Sequence, residues 1–262
     1  MFRSRPSRRG GRTAALLAAT TLMLTLGGCG MSVVTPQDAR AEAEDDGKAG
    51  AAARRVDCSE VKCIALTFDA GPGKDTPRLL DILKEKRVPA TFFLLGHKHV
   101  DRYPDVVRRI ADEGHEVANH TWSHRILTDL DEATVREELS RTQDAIAKIT
   151  GRKPVLMRPP QGRTDDTVEK VSEELGLAQV LWSVTAKDYS TTDSDLIRQR
   201  VLDQADRDGI ILLHDIYDGT VPAVPGIIDE LGKRGYTFVT VPELLAPGTA
   251  RAGAVYRPDK KD

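Results

Sequence analysis

The sequence predicts an α/β fold, a distorted or incomplete (β/α) barrel of about seven parallel strands in a single domain. Three observations carry this. Short apolar runs alternate regularly with helix-patterned segments, and such alternation requires crossover connections, hence parallel strands. Glycines that tolerate positive φ fall near the helix ends, at Gly114, Gly151, Gly176, Gly209 and Gly235. No dinucleotide glycine fingerprint follows the first run, which favours a barrel over an open doubly wound sheet.

In chain order the expected strands are Cys63–Phe68, Thr91–Leu95, Glu116–Ala118, Val155–Met157, Ala178–Val184, Ile210–Leu213 and Thr237–Val241. Between them, Asp75-Thr76-Pro77 opens a helix with Asp75 as its cap. Asp131 opens another, with Val135, Leu139, Ile146 and Ile149 on one face, and Asp193 or Ser194 opens a third.

Outside this block the chain changes character. Residues 1–28 carry five arginines and no acid, followed by an apolar stretch too short to span a bilayer, the pattern of an export signal. It ends Leu26-Gly27-Gly28-Cys29, which resembles a bacterial lipobox and implies lipidation at Cys29, with the domain on the outer face of the cell membrane; the alternative is an ordinary signal and a secreted protein. Residues 29–57, rich in Ala, Asp, Glu and Gly, are expected to be a flexible linker, 58–246 the catalytic domain, and 247–262 a loose tail.

Without the five leader arginines, 33 of the 38 basic residues face 40 acids, a formal charge of −7 against −2 for the whole chain. An acidic domain argues against nucleic acid as a partner. In an oxidising compartment Cys58 and Cys63 are expected to pair; the rival reading is two metal-binding thiols. The sequence says nothing of the oligomeric state.

A parallel barrel builds its site at the C-terminal ends of its strands. Just beyond the expected strands lie Asp69, His120 with His124, Arg158, Asp188 and His214. Each has an ordinary reading by itself: Asp69 as a turn former, His214 as a satisfied imidazole, the i, i+4 histidines as two unrelated residues on a helical turn. Their convergence on one rim points instead to a functional site, with His120 and His124 as a candidate metal-ligand pair beside Asp69. His97, His99 and His115 lack that placement. A glycosidase would need two acids flanking one bond, and Asp69 and Asp188, the available pair, have no evident partners for that task.

These residues fall in five ordered motifs, from about Cys63 to Leu245, that resemble the polysaccharide deacetylases of carbohydrate esterase family four. Thr67 to Pro72 resembles Thr-Phe-Asp-Asp-Gly-Pro, His120 to His124 the His-Thr/Ser-x-x-His motif, and Arg158-Pro159-Pro160-Gln161-Gly162 the arginine-proline-proline segment. Thr185 to Tyr189 resembles a degraded Asp-x-x-Asp-Trp, and Ile211 to His214 the leucine-rich strand ending in histidine.

The resemblance implies removal of acetyl groups from an N-acetylated, or O-acetylated, polysaccharide such as peptidoglycan or a chitin-like glycan. It implies Asp69 as general base, His214 as general acid, Arg158 and Asp188 as their orienting partners, and His120 and His124 as ligands of a divalent metal, Zn²⁺ first. Pro160, Gln161, Trp182, Tyr189 and Leu212 would line the substrate groove, with the Gln161 backbone N–H serving the oxyanion.

One position departs from the family pattern. Its third metal ligand, the second aspartate of the first motif, is Ala70 here. Three outcomes follow: a more weakly held metal with an extra water, recruitment of Asp75 or Asp69, or a catalytically impaired glycan-binding lipoprotein.

Overall fold

The structure, a computed structural model, describes residues 1–2, 33–45 and 56–259; Cys29 and nearly all of the expected leader lie outside them. Of these, residues 33–45 and 56–259 belong to one compact unit. In chain order its elements are β1 (Val33–Val34), α1 (Pro36–Asp45), β2 (Lys62–Asp69), α2 (Thr76–Lys86), β3 (Thr91–Leu94), α3 (Pro104–Asp112), β4 (Glu116–Asn119) and α4 (Glu132–Thr150). Then come β5 (Leu156–Met157), α5 (Asp166–Glu174), β6 (Ala178–Val180), β7 (Val184–Thr185), α6 (Ser194–Gln204), β8 (Gly209–Leu213), α7 (Thr220–Lys233), β9 (Tyr236–Val239), α8 (Val241–Leu245) and β10 (Val255–Tyr256).

All strand pairs are parallel, in the order β1-β10-β6-β5-β4-β3-β2-β8-β7, with β9 also paired to β2. Among the described residues no pairing joins β6 to β7, so the curled sheet is an incomplete barrel, as the sequence predicts.

Side chains alternate across the strands. Ile64, Leu66 and Phe68 of β2, Phe92 and Leu94 of β3, and Ile211 and Leu213 of β8 pack against the helices. Cys63, Ala65, Phe93 and Ile210 have the opposite parity and fill the interior. That parity continues to Thr67 and Asp69 on β2 and to Leu212 and His214 on β8. Two-residue periodicity therefore sends the chemistry inward at the rim.

Of the three expected helix caps, two form and one does not. Asp131 accepts the Thr134 N–H at 2.8 Å, and Asp193 accepts those of Asp195 and Leu196 at 3.0 and 3.1 Å. Asp75 makes no side-chain cap; its carboxylate pairs with Lys74 at 2.9 Å, while the Thr76 hydroxyl accepts the Gly73 N–H at 2.7 Å.

Three expectations are corrected. The apolar run 178–184 is two strands, because its front pairs with β5 and β10 and its end with β8; apolarity alone cannot distinguish one buried strand from two. The expected linker contains β1 and α1, and the expected tail contains β10, whose Tyr256 is buried. These segments are held by long-range contacts invisible to local composition: Val33 and Val34 pair with Val255 and Tyr256, and Arg40 forms a buried ion pair with Asp208 at 2.8 Å.

Cys58 and Cys63 are disulfide-bonded and fully buried. Closing so short a loop constrains the unfolded chain by about 2 kcal/mol. Replacing both cysteines by alanine is expected to lower Tm by roughly 4–8 °C in a thermal melt; an unchanged Tm rejects a stapling role.

Candidate active site

Asp69 ends β2 with its side chain buried. Its Oδ1 accepts from Arg158 Nη1 at 2.7 Å, and its Oδ2 lies 3.9 Å from His120 Nε2. Arg158, fully buried just beyond β5, fills the barrel mouth: Nη1 also donates to Thr67 Oγ1 at 2.8 Å, Nε donates to the Val180 carbonyl at 2.9 Å, and the guanidinium lies over the Phe93 ring at 4.0 Å. The Thr67 hydroxyl in turn donates to the Ile211 carbonyl at 2.6 Å. Burial lowers the Arg158 pKa, opposed by the charge and hydrogen bond of Asp69. A buried cation needs such a partner.

His120 and His124 sit beyond β4, with ring centroids 5.0 Å apart. They occupy a turn rather than the expected helical turn, with positive φ at Thr121 and His124. Polar clamps hold it. Asn119 Oδ1 accepts the Thr121 N–H at 2.8 Å, Thr121 Oγ1 accepts the His124 N–H at 3.1 Å, and Glu138 Oε2 of α4 accepts the N–H groups of Trp122 and Ser123 at 3.0 and 2.8 Å. His120 Nδ1–H donates to the Arg158 carbonyl at 2.7 Å, which leaves the Nε2 lone pair free. Burial lowers the pKa of His120 to about 4 and also lowers that of His124, so both imidazoles are neutral at neutral pH.

Opposite them, His214 follows β8. Asp188, buried in the loop after β7, accepts from His214 Nδ1 at 2.8 Å, from the His214 backbone N–H at 2.7 Å and from the Thr220 hydroxyl at 2.7 Å. Burial pulls the His214 pKa down, but the hydrogen bond and charge of Asp188, joined by the charge of Asp69, outweigh it and leave the value raised. Nδ1 is committed, so Nε2 is the atom available to a ligand.

Asp69, His120, His124, Gln161, Trp182, Tyr189, Leu212 and His214 line one cavity of about 490 Å³. Two expectations change. Pro160 is absent from the lining, and Pro159 lines the cavity in its place. Asp75 is absent from the lining and engaged with Lys74. Thr185, Lys187 and Tyr217 also line the cavity; Thr185 and Lys187 fall inside the fourth motif without having been given a role there, and Tyr217 lies a short step beyond His214, the one signal that could have found it.

A scan against family models matches residues 57–180 to polysaccharide deacetylase. A deacetylase solved with its substrate shares 40% identity at a TM-score of 0.73, covering 77% of this chain and 99% of that one. The chain belongs to the polysaccharide deacetylase family. The peptidoglycan-N-acetylmuramic acid deacetylase of Bacillus subtilis is 41% identical over 184 residues, 70% of this chain and 38% of that protein; the chain thus spans well under half of that relative. A pseudoenzyme of carbohydrate esterase family four is 31% identical at a TM-score of 0.67, covering 71% of this chain and 67% of its own, and a mutant of it with restored enzymatic activity is 32% identical at the same TM-score, covering 71% and 68%.

Deacetylases of this family are generally metal-dependent. Two neutral imidazoles, one with a demonstrably free Nε2, fit a cation as far as they go. Ala70 supplies no donor, and among the described residues no group of three or more His, Cys, Asp or Glu converges as a metal set. The donor set therefore fits a two-histidine site and not a three-ligand one. Ala70 nevertheless keeps φ +64°, held by its N–H to the Phe93 carbonyl at 3.1 Å and by Leu95 N–H to the Gly71 carbonyl at 3.0 Å. Alanine takes that conformation at a cost of about 1 kcal/mol, and aspartate tolerates it better. Gly71 is required beside it, because a Cβ there would lie 2.4 Å from Asp215 Oδ1.

Proposed function

We propose that this chain hydrolyses the acetyl amide of an N-acetylated cell-wall glycan, peptidoglycan first. The observation that carries it is a pair of couples at the ends of the neighbouring strands β2 and β8, Asp69–Arg158 and Asp188–His214, with Asp69 and His214 lining one cavity. Asp69 Oδ2, the oxygen not held by Arg158, takes a proton from the attacking water. The water oxygen joins the acetyl carbon, the carbon–nitrogen bond breaks, and His214 Nε2 gives its proton to the departing amine. Arg158 keeps the Asp69 carboxylate turned to the cavity. The Gln161 backbone N–H, in a turn with φ +58°, is the oxyanion donor assigned by family resemblance. His120 and His124 would hold the metal, with Zn²⁺ suiting imidazole donors, and Lewis acidity toward the acetyl carbonyl and the attacking water is what it would supply when bound. The protein acts at the outer face of the membrane through a lipid on Cys29.

Ala70 favours a second reading, a glycan-binding protein impaired in catalysis. Acetate release from N-acetylated peptidoglycan and chito-oligosaccharide, measured while Zn²⁺ is titrated, separates the two. Release that saturates only at high Zn²⁺ is expected, and Ala70→Asp is expected to tighten Zn²⁺ by on the order of tenfold or more, since its carboxylate would extend from a backbone already in shape. No release at any Zn²⁺ concentration with glycan binding retained means the binding protein. Unchanged Zn²⁺ affinity in Ala70→Asp rejects the two-histidine account.

A further inference from the structure

The catalytic cavity continues sideways. Gln161 and Trp182, which line it, also line a shallow cavity of about 150 Å³ with Gly162, Leu181 and Arg257. Gly162, Leu181 and Arg257 in turn line a larger one of about 450 Å³ that reaches Arg163 and Val33. The three form one groove, with Trp182 standing at the first junction. Gly162 lets it do so, because a Cβ on Gly162 would lie 2.9 Å from the Trp182 ring.

Most polar side chains along the extension are already committed. Thr164 donates to Gln179 at 2.6 Å, and Asp165 caps α5 by accepting the Val168 N–H at 2.9 Å. Two guanidinium groups are not. Arg257 is exposed and makes no side-chain hydrogen bond or ion pair among the described residues, while Arg163 has only a long contact of 3.8 Å to Asp129, both groups being half exposed. Arg257 is fixed in place through its backbone N–H, which donates to the Val34 carbonyl at 3.0 Å, so β1 and β10 together present it to the groove. Lys187 adds a third cation at the catalytic end. This basic line crosses a domain whose formal charge, without its leader arginines, is −7.

We propose that the groove beyond Trp182 is a substrate subsite for the carboxylate-bearing part of the glycan, a lactyl or stem-peptide carboxylate of a muramoyl residue, held by Arg257 and Arg163. Uncharged sugars make no use of two guanidinium groups of which one has no side-chain partner among the described residues and the other only a long contact to Asp129, whereas carboxylates pair with them in bidentate fashion. The subsite deepens the deacetylase reading and rests on it for which sugar enters the catalytic cavity. It gives the segments β1 and β10 a role in choosing substrate.

Equilibrium binding of the full chain to a muropeptide tetrasaccharide and to neutral chitotetraose tests it, with acetate release measured separately on both. The acidic fragment is expected to bind about tenfold tighter at low salt, an advantage that fades as ionic strength rises. Arg163→Gln with Arg257→Gln is expected to erase most of that ratio, and Arg257→Lys to keep part of it. An equal ratio in the wild type and the double glutamine variant overturns the proposal, as does a wild type without preference. If the preference holds while neither fragment releases acetate, the subsite stands and the deacetylase reading falls; acetate release without the preference is the reverse.

Discussion

Asparagine at position 69 is expected to abolish measurable acetate release and to destabilise the fold at once. Loss of a general base costs about 10²–10⁴ in kcat. The stability effect follows from Arg158, which has no exposed surface and whose charge is balanced by Asp69 at 2.7 Å. Removing one partner of a buried pair leaves an uncompensated charge, at a cost of about 3–5 kcal/mol. Asp69→Asn combined with Arg158→Met should recover much of the stability and none of the activity. Urea unfolding reads the first quantity and acetate release the second; a single variant as stable as the wild type contradicts the structural pairing, and one that keeps its kcat contradicts the base assignment.

The second large effect belongs to Asp188→Asn. Burial lowers the His214 pKa, and only the Asp188 hydrogen bond and charge, with the more distant Asp69, bring it above the ordinary 6.5. Neutralising Asp188 leaves burial dominant, so the His214 pKa is expected to fall below 6.5. Because the proposed proton donor is the His214 imidazolium, the alkaline limb of the kcat profile is then expected to move to lower pH, and at neutral pH kcat to fall by about 10²–10⁴. Stability carries the same sign. A raised folded-state pKa means that the contribution of the pair is full below pH 6.5 and is lost as pH rises through the raised value. The variant should lose stability mainly on the acid side. A pH–rate profile whose alkaline limb does not move rules out His214 as the acid tuned by Asp188.

Much of the site was legible because a parallel barrel places its chemistry just past strand ends. Asp69, His120, Arg158 and His214 each follow an apolar run directly, and that register is local information. The turn carrying His124 was not legible: it depends on Glu138, from a helix that begins beyond it, accepting two of its backbone N–H groups. Nor was the exchange of Pro160 for Pro159 at the cavity, which residue type does not distinguish.

The sequence alone determined the strand–helix alternation, the placement of Asp69 and His214 just beyond strand ends, the pairing chemistry of two close cysteines, and the missing carboxylate at Ala70, because each is set by residue type and spacing along a few neighbours. Tertiary structure decided what those groups face. It buried Arg158 against Asp69, set Asp188 on His214, drew β1 and β10 into the sheet and brought Arg257 and Arg163 to the same groove. Those contacts join residues far apart in the chain, and their strength comes from burial, which no local window of sequence contains.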